Sequence, residues 1–116
     1  MGSSEDSYCE STDKIVVFST TGSTEEGEKI ARVLVEKRLA ACVNVLAGGR
    51  SFYRWQGVLE SSSECLLVIK SRRDLFEQLR AALEEAHSYD VPEILALPVV
   101  DGSAAYLNWL EAGLCG

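Results

Sequence analysis

Four stretches of apolar and β-branched residues predict strands. The first, Lys14 to Thr20, reads KIVVFST and leads into a polar run, which indicates a tight turn. The others are Ala41 to Ala47, Glu64 to Ser71 and Glu93 to Val99, in which apolar residues follow one another with little alternation. Strands of this kind are covered on both faces, either by their own chain or by another copy of it.

A first helix is predicted between the first two strands. Ser23 and Glu26 have the spacing of a capping box, so we expect the helix to begin near Thr24. Apolar residues then recur at helical spacing and give the helix a single stripe that faces the core. The helix should end before Ala41, where the second strand starts.

Two further helices are predicted in the second half of the chain. Asp74 can cap one of them, with Glu77 at the matching position of the box, and an apolar stripe continues to Ala86. The other covers Ala104 to Leu110 and is apolar nearly all round. A helix with apolar residues on most of its surface is expected to be packed on most of its surface.

A hairpin arm is predicted between the second and third strands. Gly48 and Gly49 break the second strand, Ser51 to Trp55 is extended again, and Gln56-Gly57 is a plausible reversal. The tip of the arm carries the aromatic residues Phe52, Tyr53 and Trp55. Exposed aromatic side chains on a protruding arm indicate a partner surface.

The order of these elements is strand, helix, strand, strand, helix, strand, with one extra helix at the end. This order is the α+β, ferredoxin-like split βαβ pattern, βαββαβ plus a C-terminal helix, with two helices on one face of an antiparallel sheet. The second face of such a sheet is left open, although its strands are apolar on both sides. Association of copies through their sheets is the simplest way to cover it.

Length and charge restrict the classes of function and partner that the chain can have. A chain of 116 residues is long enough for one domain with its own core. Its net charge of -7 argues against nucleic acid or an anionic membrane as the main partner, because both require a basic surface. No run approaches the roughly 20 apolar residues that a membrane helix needs.

The N-terminus and the cysteines indicate a cytoplasmic protein. Residues 1–13 lack the basic start and apolar centre of a secretory signal, so we expect a disordered or non-native lead-in before a single domain at 14–114. The four cysteines, Cys9, Cys42, Cys65 and Cys115, lie far apart without a CxxC pair. This spacing is typical of reduced intracellular thiols rather than of a disulfide framework or a zinc site.

Four segments of the chain resemble the CutA divalent-cation tolerance proteins. They are LAACVN at Leu39 to Asn44, YRWQG at Tyr53 to Gly57, YDVPEI at Tyr89 to Ile94 and YLNWL at Tyr106 to Leu110. Leu59, Glu60, Glu64 and Lys70 extend the second segment, and the likeness covers about Lys14 to Leu114 in the same order and spacing.

The resemblance implies a homotrimer of ferredoxin-like subunits whose sheets face a central core, similar to the PII signalling proteins. It implies a role in tolerance of copper and other divalent cations, Cu(II) or another divalent cation as a ligand rather than as a required cofactor, and clefts between subunits. No enzymatic reaction is established for the family. The polar residues near its clefts correspond here to Glu64, Lys70, His87, Tyr89 and Glu93, with Trp55 on the arm.

Two positions depart from the pattern of bacterial relatives. A cysteine near the end of the first strand and a His-His pair before the tyrosine, which are attractive ligands for a soft or borderline metal, are replaced here by Ser19 and by Ala86-His87. His87 is the only histidine in the chain and could hold Cu(II) or Zn(II) together with Asp90 and Glu93. Its alternative role is to cap the C-terminus of the second predicted helix.

The remaining candidates also have two interpretations. Lys70, Glu64 and Glu93 could line a cleft for a metabolite or a small anion, or form an ion pair between subunits that fixes the register of the trimer. Phe52, Tyr53, Trp55, Tyr106 and Trp109 are predicted to be contact residues of the trimer. No nucleophile with its base is recognisable, so binding or signalling is favoured over catalysis. The rival function is an interaction scaffold whose aromatic arm binds another protein.

Overall fold

A computed structural model describes residues 12–116 and confirms the predicted α+β architecture. The elements are β1 (Lys14–Thr21), α1 (Thr24–Glu36), β2 (Cys42–Trp55), β3 (Val58–Arg72), a short 3₁₀ helix (Arg73–Leu75), α2 (Phe76–Ala86), β4 (Leu95–Pro98) and α3 (Ala104–Ala112). The four strands form one antiparallel sheet in the order β2-β3-β1-β4. This is the strand order of the split βαβ pattern. In the first half, β3 lies between β1 and β2, and in the second half, β1 lies between β3 and β4.

The core lies between α1, α2 and one face of the sheet, which we call the inner face. Alternate residues of β1 and β3 point into it, and they are buried. They meet the apolar stripes of the two helices. The largest fully buried side chains are Val17, Ser19, Thr21, Ile30, Leu34, Leu67, Ile69, Ser71, Leu79 and Leu83.

The opposite face of the sheet, the outer face, is largely apolar, and no helix of the described residues covers it. Its side chains are Val16, Phe18 and Thr20 on β1, Leu66, Val68 and Lys70 on β3, Leu95 and Leu97 on β4, and Cys42, Asn44 and Leu46 on β2. All four residues of β4 are exposed. Within residues 12–116, nothing is packed over the outer face, so the described part of the chain does not by itself meet the prediction that the apolar strands are covered on both faces.

The predicted break in the second strand is wrong. β2 continues as one strand to Trp55, and the two glycines form a β-bulge between Leu46 and Gly49. Gly48 has a φ of 90°, a conformation that costs a residue with a Cβ atom more than it costs glycine. The bulge adds one residue to β2 without ending its pairing with β3, so the arm is a continuous two-stranded ribbon. The predicted reversal at Gln56-Gly57 is confirmed, and both residues have positive φ.

Asp74 does not cap the second helix. The chain first makes the 3₁₀ helix, and α2 then begins after Leu75 without a side-chain cap. The Asp74 carboxylate instead accepts a hydrogen bond from Arg72 Nε at 2.6 Å. By contrast, Ser23 caps α1 as predicted, with its hydroxyl accepting from the Glu26 backbone N–H at 3.1 Å.

The C-terminal helix packs at the end of the sheet where β1 begins and β3 ends. Of its residues only Leu110 is buried, so the prediction that this helix is packed on most of its surface is wrong for the single subunit. Glu111 pairs with Lys14 at 2.9 Å and with Arg72 at 2.7 Å. Arg72 also donates to the Cys115 carbonyl at 2.8 Å, which fixes the chain after α3.

The start of the domain lies earlier than predicted. Thr12 donates through its hydroxyl to the Val99 carbonyl at 2.6 Å, and the Arg73 backbone N–H donates to the Asp13 carbonyl at 2.8 Å. Both residues, assigned from the sequence to the lead-in, therefore belong to the folded part, and the rest of that lead-in lies outside the described residues. Within 12–116, none of the helices has the length and apolar character needed to cross a membrane.

Candidate functional site

Glu64 and Tyr89 are brought together from distant parts of the chain. Glu64 lies on β3 and points to the outer face, while Tyr89 lies in the loop between α2 and β4. The Tyr89 hydroxyl donates to Glu64 Oε2 at 2.9 Å, and the Ser51 hydroxyl donates to Glu64 Oε1 at 2.7 Å. A carboxylate between two hydroxyl groups is held in one orientation, and it keeps lone pairs for a further ligand.

Gly22 leaves room for the Tyr89 hydroxyl. A Cβ atom at position 22 would lie 3.3 Å from that oxygen, closer than nearly all real contacts of this kind. Burial raises the pKa of Tyr89 to about 12, and the hydrogen bond to Glu64 and the negative charges of Glu64 and Glu26 act in the same direction. Tyr89 is therefore a hydrogen-bond donor, not an anion, at physiological pH.

His87 packs against the Tyr89 ring and binds the Tyr89 backbone. Its side chain is buried, and Nε2 lies 2.7 Å from the Thr20 carbonyl, so Nε2 carries the proton and donates it. Nδ1 accepts from the Tyr89 backbone N–H at 3.0 Å, and the two rings lie 4.7 Å apart between centroids. Both ring nitrogens are thus engaged in the subunit.

His87 has two predicted roles, as a cap of the second helix and as a metal ligand. The residue does stand at the C-cap of α2, but its backbone N–H makes the capping bond, to the Glu84 carbonyl at 3.4 Å, and the ring turns away towards β1. Metal ligation by His87 stays a prediction. It would require one of the two ring hydrogen bonds to open, because a metal needs a free nitrogen lone pair.

Glu26 belongs to the same cluster and was missed as a site residue. Its carboxylate accepts from the Ser88 backbone N–H at 2.8 Å and lies 3.7 Å from His87 Nδ1. Burial opposes ionisation, but the hydrogen bonds from Ser88 favour the charged carboxylate, and the pKa of Glu26 is lowered. The sequence assigned Glu26 to the helix cap, and only the packing of the loop after α2 on the start of α1 gives it this second contact.

Lys70, Glu93 and Trp55 do not join this cluster within one subunit. Lys70 follows Glu64 on β3 by six residues, about 20 Å along the strand, and its ammonium donates to the Asn44 side-chain carbonyl. Glu93 is exposed, and Trp55 lies at the tip of the arm, a similar distance from Glu64 in the other direction. Lys70 and Trp55 can therefore meet Glu64 only if different subunits supply them.

The predicted contact residues fall into two groups. Tyr106 and Trp109 stack on α3 with ring centroids 5.5 Å apart, and both are exposed. On the arm, the bulge turns Tyr53 and Trp55 to the same face as Glu64. Phe52 points to the opposite face, together with Arg50, whose guanidinium donates to Ser63 and Ser61 at 3.0 and 3.1 Å.

The donor atoms of the cluster define what it can bind. Carboxylate and hydroxyl oxygens from Glu64, Tyr89 and Ser51 suit a cation or a ligand with hydrogen-bond donors. Within residues 12–116, no three His, Cys, Asp or Glu side chains are close enough to hold a metal ion together. Cys42 and Cys115 are half-buried, Cys65 is buried in the core, and all three are free, while Cys9 lies outside the described residues.

Comparison with known proteins gives one consistent result. Residues 15–113 match the family model described as CutA1 divalent ion tolerance protein. The chain is 47% identical over 97 residues to "Protein CutA, chloroplastic" of Arabidopsis thaliana, which covers 84% of this chain and 53% of that protein. It is 46% identical over 96 residues to the divalent-cation tolerance protein CutA of Thermus thermophilus, which covers 83% of this chain and 93% of that protein.

A solved structure agrees with these sequence relatives. The divalent cation tolerance protein Cut A1 from Thermus thermophilus superposes with a TM-score of 0.85 at 43% sequence identity, over 88% of this chain and 99% of that one. The chain thus spans nearly the whole of the bacterial relative but only about half the length of the Arabidopsis protein.

Proposed function

The chain belongs to the CutA1 divalent ion tolerance protein family, and we propose that it acts as a cytoplasmic homotrimer that binds a divalent cation or a small ligand in clefts between its subunits. The observation that carries the proposal is the Glu64–Tyr89 hydrogen bond, 2.9 Å long, at the border of a largely apolar sheet face that residues 12–116 leave uncovered. A ligand site beside a surface that needs a partner is a site that two subunits can share.

The uncovered outer face supports the trimer. Leu46, Leu95 and Leu97 are exposed on it, and Tyr106 and Trp109 add a stacked aromatic pair on α3. Contiguous apolar surface of this kind on a folded domain marks a site of association. Because the face belongs to the sheet, copies that pack through it place their arms and their Glu64–Tyr89 clusters next to one another.

Neighbouring copies then complete the cleft. Glu64, Tyr89 and Ser51 supply oxygen atoms from one subunit, and the copies of Lys70, Glu93 and Trp55 on the neighbours supply further charge and an aromatic surface. Glu64 and Tyr89 would hold a divalent cation such as Cu(II), whereas Lys70 suits a small anion. Ligand contacts with two subunits bias the arrangement of the trimer, which is signalling of the PII type and not catalysis.

Two observations support binding over catalysis and a cytoplasmic location. Tyr89 stays protonated up to high pH, with its proton donated to Glu64, so it does not serve as a general base. The cysteines among residues 12–116 are free thiols, as expected in a reducing compartment.

Titration calorimetry tests the cation. Cu(II) and Zn(II) are titrated into the reduced, chelator-treated protein, and into Glu64→Gln and His87→Ala variants. We expect stoichiometric binding per subunit that Glu64→Gln weakens at least tenfold, because the amide that replaces the carboxylate is a poor cation ligand. If His87→Ala also abolishes binding while the variant keeps the thermal stability of Glu64→Gln, His87 is a ligand as well.

Absence of binding by the unaltered protein would contradict the cation proposal. A matched control is Glu60→Gln, which removes a carboxylate from the same face of β3 without touching Ser51 or Tyr89. An equal loss of affinity in this control would show a general effect of charge and would also contradict a site at Glu64.

The second candidate function is an interaction scaffold. The specific observation in its favour is the face of the arm that carries Phe52 and Leu59, of which 70% and 69% are exposed. This face points away from Tyr53 and Trp55, so sheet-to-sheet packing of subunits leaves it open. A partner protein that binds the arm would use this face.

A further inference from the structure

A groove on the helical side of the subunit has features that the proposed cleft does not use. It lies between the end of α1, the exposed side of α2 and the segment after α3, and its volume is about 400 Å³. The residues that line it are Lys37, Leu39, Gln78, Ala81, Ala82, Glu85 and Cys115. This volume falls in the range of small-molecule sites.

Two opposite charges line the groove without neutralising each other. Among residues 12–116, neither the Lys37 ammonium nor the Glu85 carboxylate has an ion pair within 4.0 Å. Their neighbours on the same helices do pair, as Arg80 does with Glu84 at 2.8 Å. The Lys37 ammonium and the Glu85 carboxylate are therefore too far apart to form an ion pair, although both residues line the groove.

The floor and rim add apolar contact and a thiol. Leu39, Ala81 and Ala82 supply apolar surface, and Gln78 supplies an amide. Cys115 is held by its backbone, with its N–H donating to the Arg38 carbonyl at 3.1 Å and its carbonyl accepting from Arg72 at 2.8 Å. These bonds hold the backbone of Cys115, whose free, half-buried side chain lines the groove.

We propose that this groove is a second binding site and that it takes a small zwitterion, an amino acid or a short peptide, whose carboxylate meets Lys37 and whose ammonium meets Glu85. The ligand bridges two charges that the protein leaves apart, and its side chain lies on the alanines of α2. The site is independent of the outer face, since its residues lie on the helical layer and on the segment after α3.

Cys115 makes the site testable by a covalent reaction. Its thiolate attacks a low-molecular-weight disulfide, a bond forms between Cys115 Sγ and one half of that molecule, and the other half leaves as a thiolate that takes up the proton released by Cys115. A disulfide whose halves fit the groove is concentrated next to Sγ and reacts faster.

Four small disulfides carry different charged groups. Cystine has both an ammonium and a carboxylate, cystamine the ammonium, dithiodipropionate the carboxylate and hydroxyethyl disulfide neither. The rate of mixed-disulfide formation at Cys115 is measured by peptide mass mapping of the whole chain. Each rate is divided by that for an unstructured Leu-Cys-Gly peptide, which removes intrinsic reactivity. We expect cystine to exceed hydroxyethyl disulfide by about fourfold, a factor of about two for each solvent-facing ion pair.

Charge variants complete the test. Lys37→Gln should remove the rate advantage of disulfides that carry a carboxylate, and Glu85→Gln that of disulfides that carry an ammonium. Lys29→Gln and Glu28→Gln, both on α1 and outside the groove, should leave the rate ratio unchanged. Equal normalised rates for cystine and hydroxyethyl disulfide would overturn the proposal. A cystine preference that survives both groove variants would overturn it too, because the charges would then play no part.

Discussion

Two buried serines on the inner face differ in their hydrogen bonding. Ser19 and Ser71 lie on neighbouring strands, both with 0% exposure. The Ser71 hydroxyl donates to the Leu39 carbonyl at 2.6 Å. Ser19 Oγ has no hydrogen-bond partner within the described residues. A buried hydroxyl without a partner destabilises the folded state, while one with a partner contributes to it.

Alanine substitution should therefore change stability in opposite directions at these positions. Ser19→Ala is expected to raise the free energy of unfolding by about 1 kcal/mol, because no hydrogen bond is lost and desolvation of the hydroxyl is avoided. Ser71→Ala is expected to lower it by about 1 to 2 kcal/mol, since the Leu39 carbonyl loses its donor. Urea denaturation measures both. A loss of stability in Ser19→Ala would mean that its hydroxyl has a partner.

Tyr89 provides a prediction on pH. Its pKa of about 12 lies above the ordinary 10.0, so the folded state retains a proton that the unfolded state releases. Its contribution to stability is fully present below pH 10 and is lost as the pH rises from 10 towards 12.

Phenolate absorbance of the protein minus that of Tyr89→Phe isolates this titration. We expect a midpoint well above that of a free tyrosine, and a lower midpoint in Glu64→Gln, which removes the negative charge and weakens the hydrogen bond. A midpoint near 10 in the unaltered protein would show that Tyr89 is not held against Glu64 in solution.

At the scale of elements, the arm is defined by one extra residue. Alternation along an unbroken β2 would put Phe52 on the outer face and Tyr53 and Trp55 on the inner face. The bulge at Gly48 reverses this assignment, so Tyr53 and Trp55 share a face with Glu64. The sequence shows the two glycines, but whether they end the strand or bulge it depends on pairing with β3.

The two faces of the arm can be tested separately. Trp55→Ser should weaken the proposed trimer and shift sedimentation towards smaller species at micromolar concentration, because Trp55 lies on the face that we assign to the neighbouring subunit. Phe52→Ser, a matched control at 70% exposure against 62% for Trp55, should leave the trimer unchanged. If neither substitution matters, the arm is free in the assembly and the scaffold function gains support.

At the scale of the whole molecule, the helices of the described residues cover only one face of the sheet. The helices α1 and α2 cover the inner face of β1 and β3, whereas Leu95 and Leu97 of β4 are exposed on the outer face. A face of this kind is stable in water only when a second surface excludes solvent from it. The oligomer is therefore expected to be a condition of stability as well as of ligand binding.

Charge placed on the outer face should separate the subunits. Leu97→Glu is expected to dissociate the trimer, because it buries an unpaired carboxylate between sheets. Val35→Glu is the control, since Val35 is 42% exposed and Leu97 43%, but Val35 lies on α1 in the helical layer. Analytical ultracentrifugation distinguishes the two. Equal dissociation by both variants, or a monomeric unaltered protein, would contradict association through the outer face.

Much of the fold follows from local patterns. The β-branched run of β1, the Ser23 cap of α1, the Gln56-Gly57 reversal and the order of elements each depend on residues close together in sequence. Periodicity and turn chemistry suffice for such features, and they predict the ferredoxin-like arrangement. The predicted capping of α2 by Asp74 is wrong, because the Asp74 carboxylate accepts a hydrogen bond from Arg72, two residues away.

The candidate site depended on contacts that no local pattern encodes. Glu64 and Tyr89 could be named from the sequence, but their bond, the turn of the His87 ring towards Thr20 and the part played by Glu26 all join residues far apart in the chain. The sequence by itself determined the elements and their order, because helix and strand formation respond to near neighbours. Only the tertiary structure decided which charges meet and which face stays open, because both depend on packing between elements.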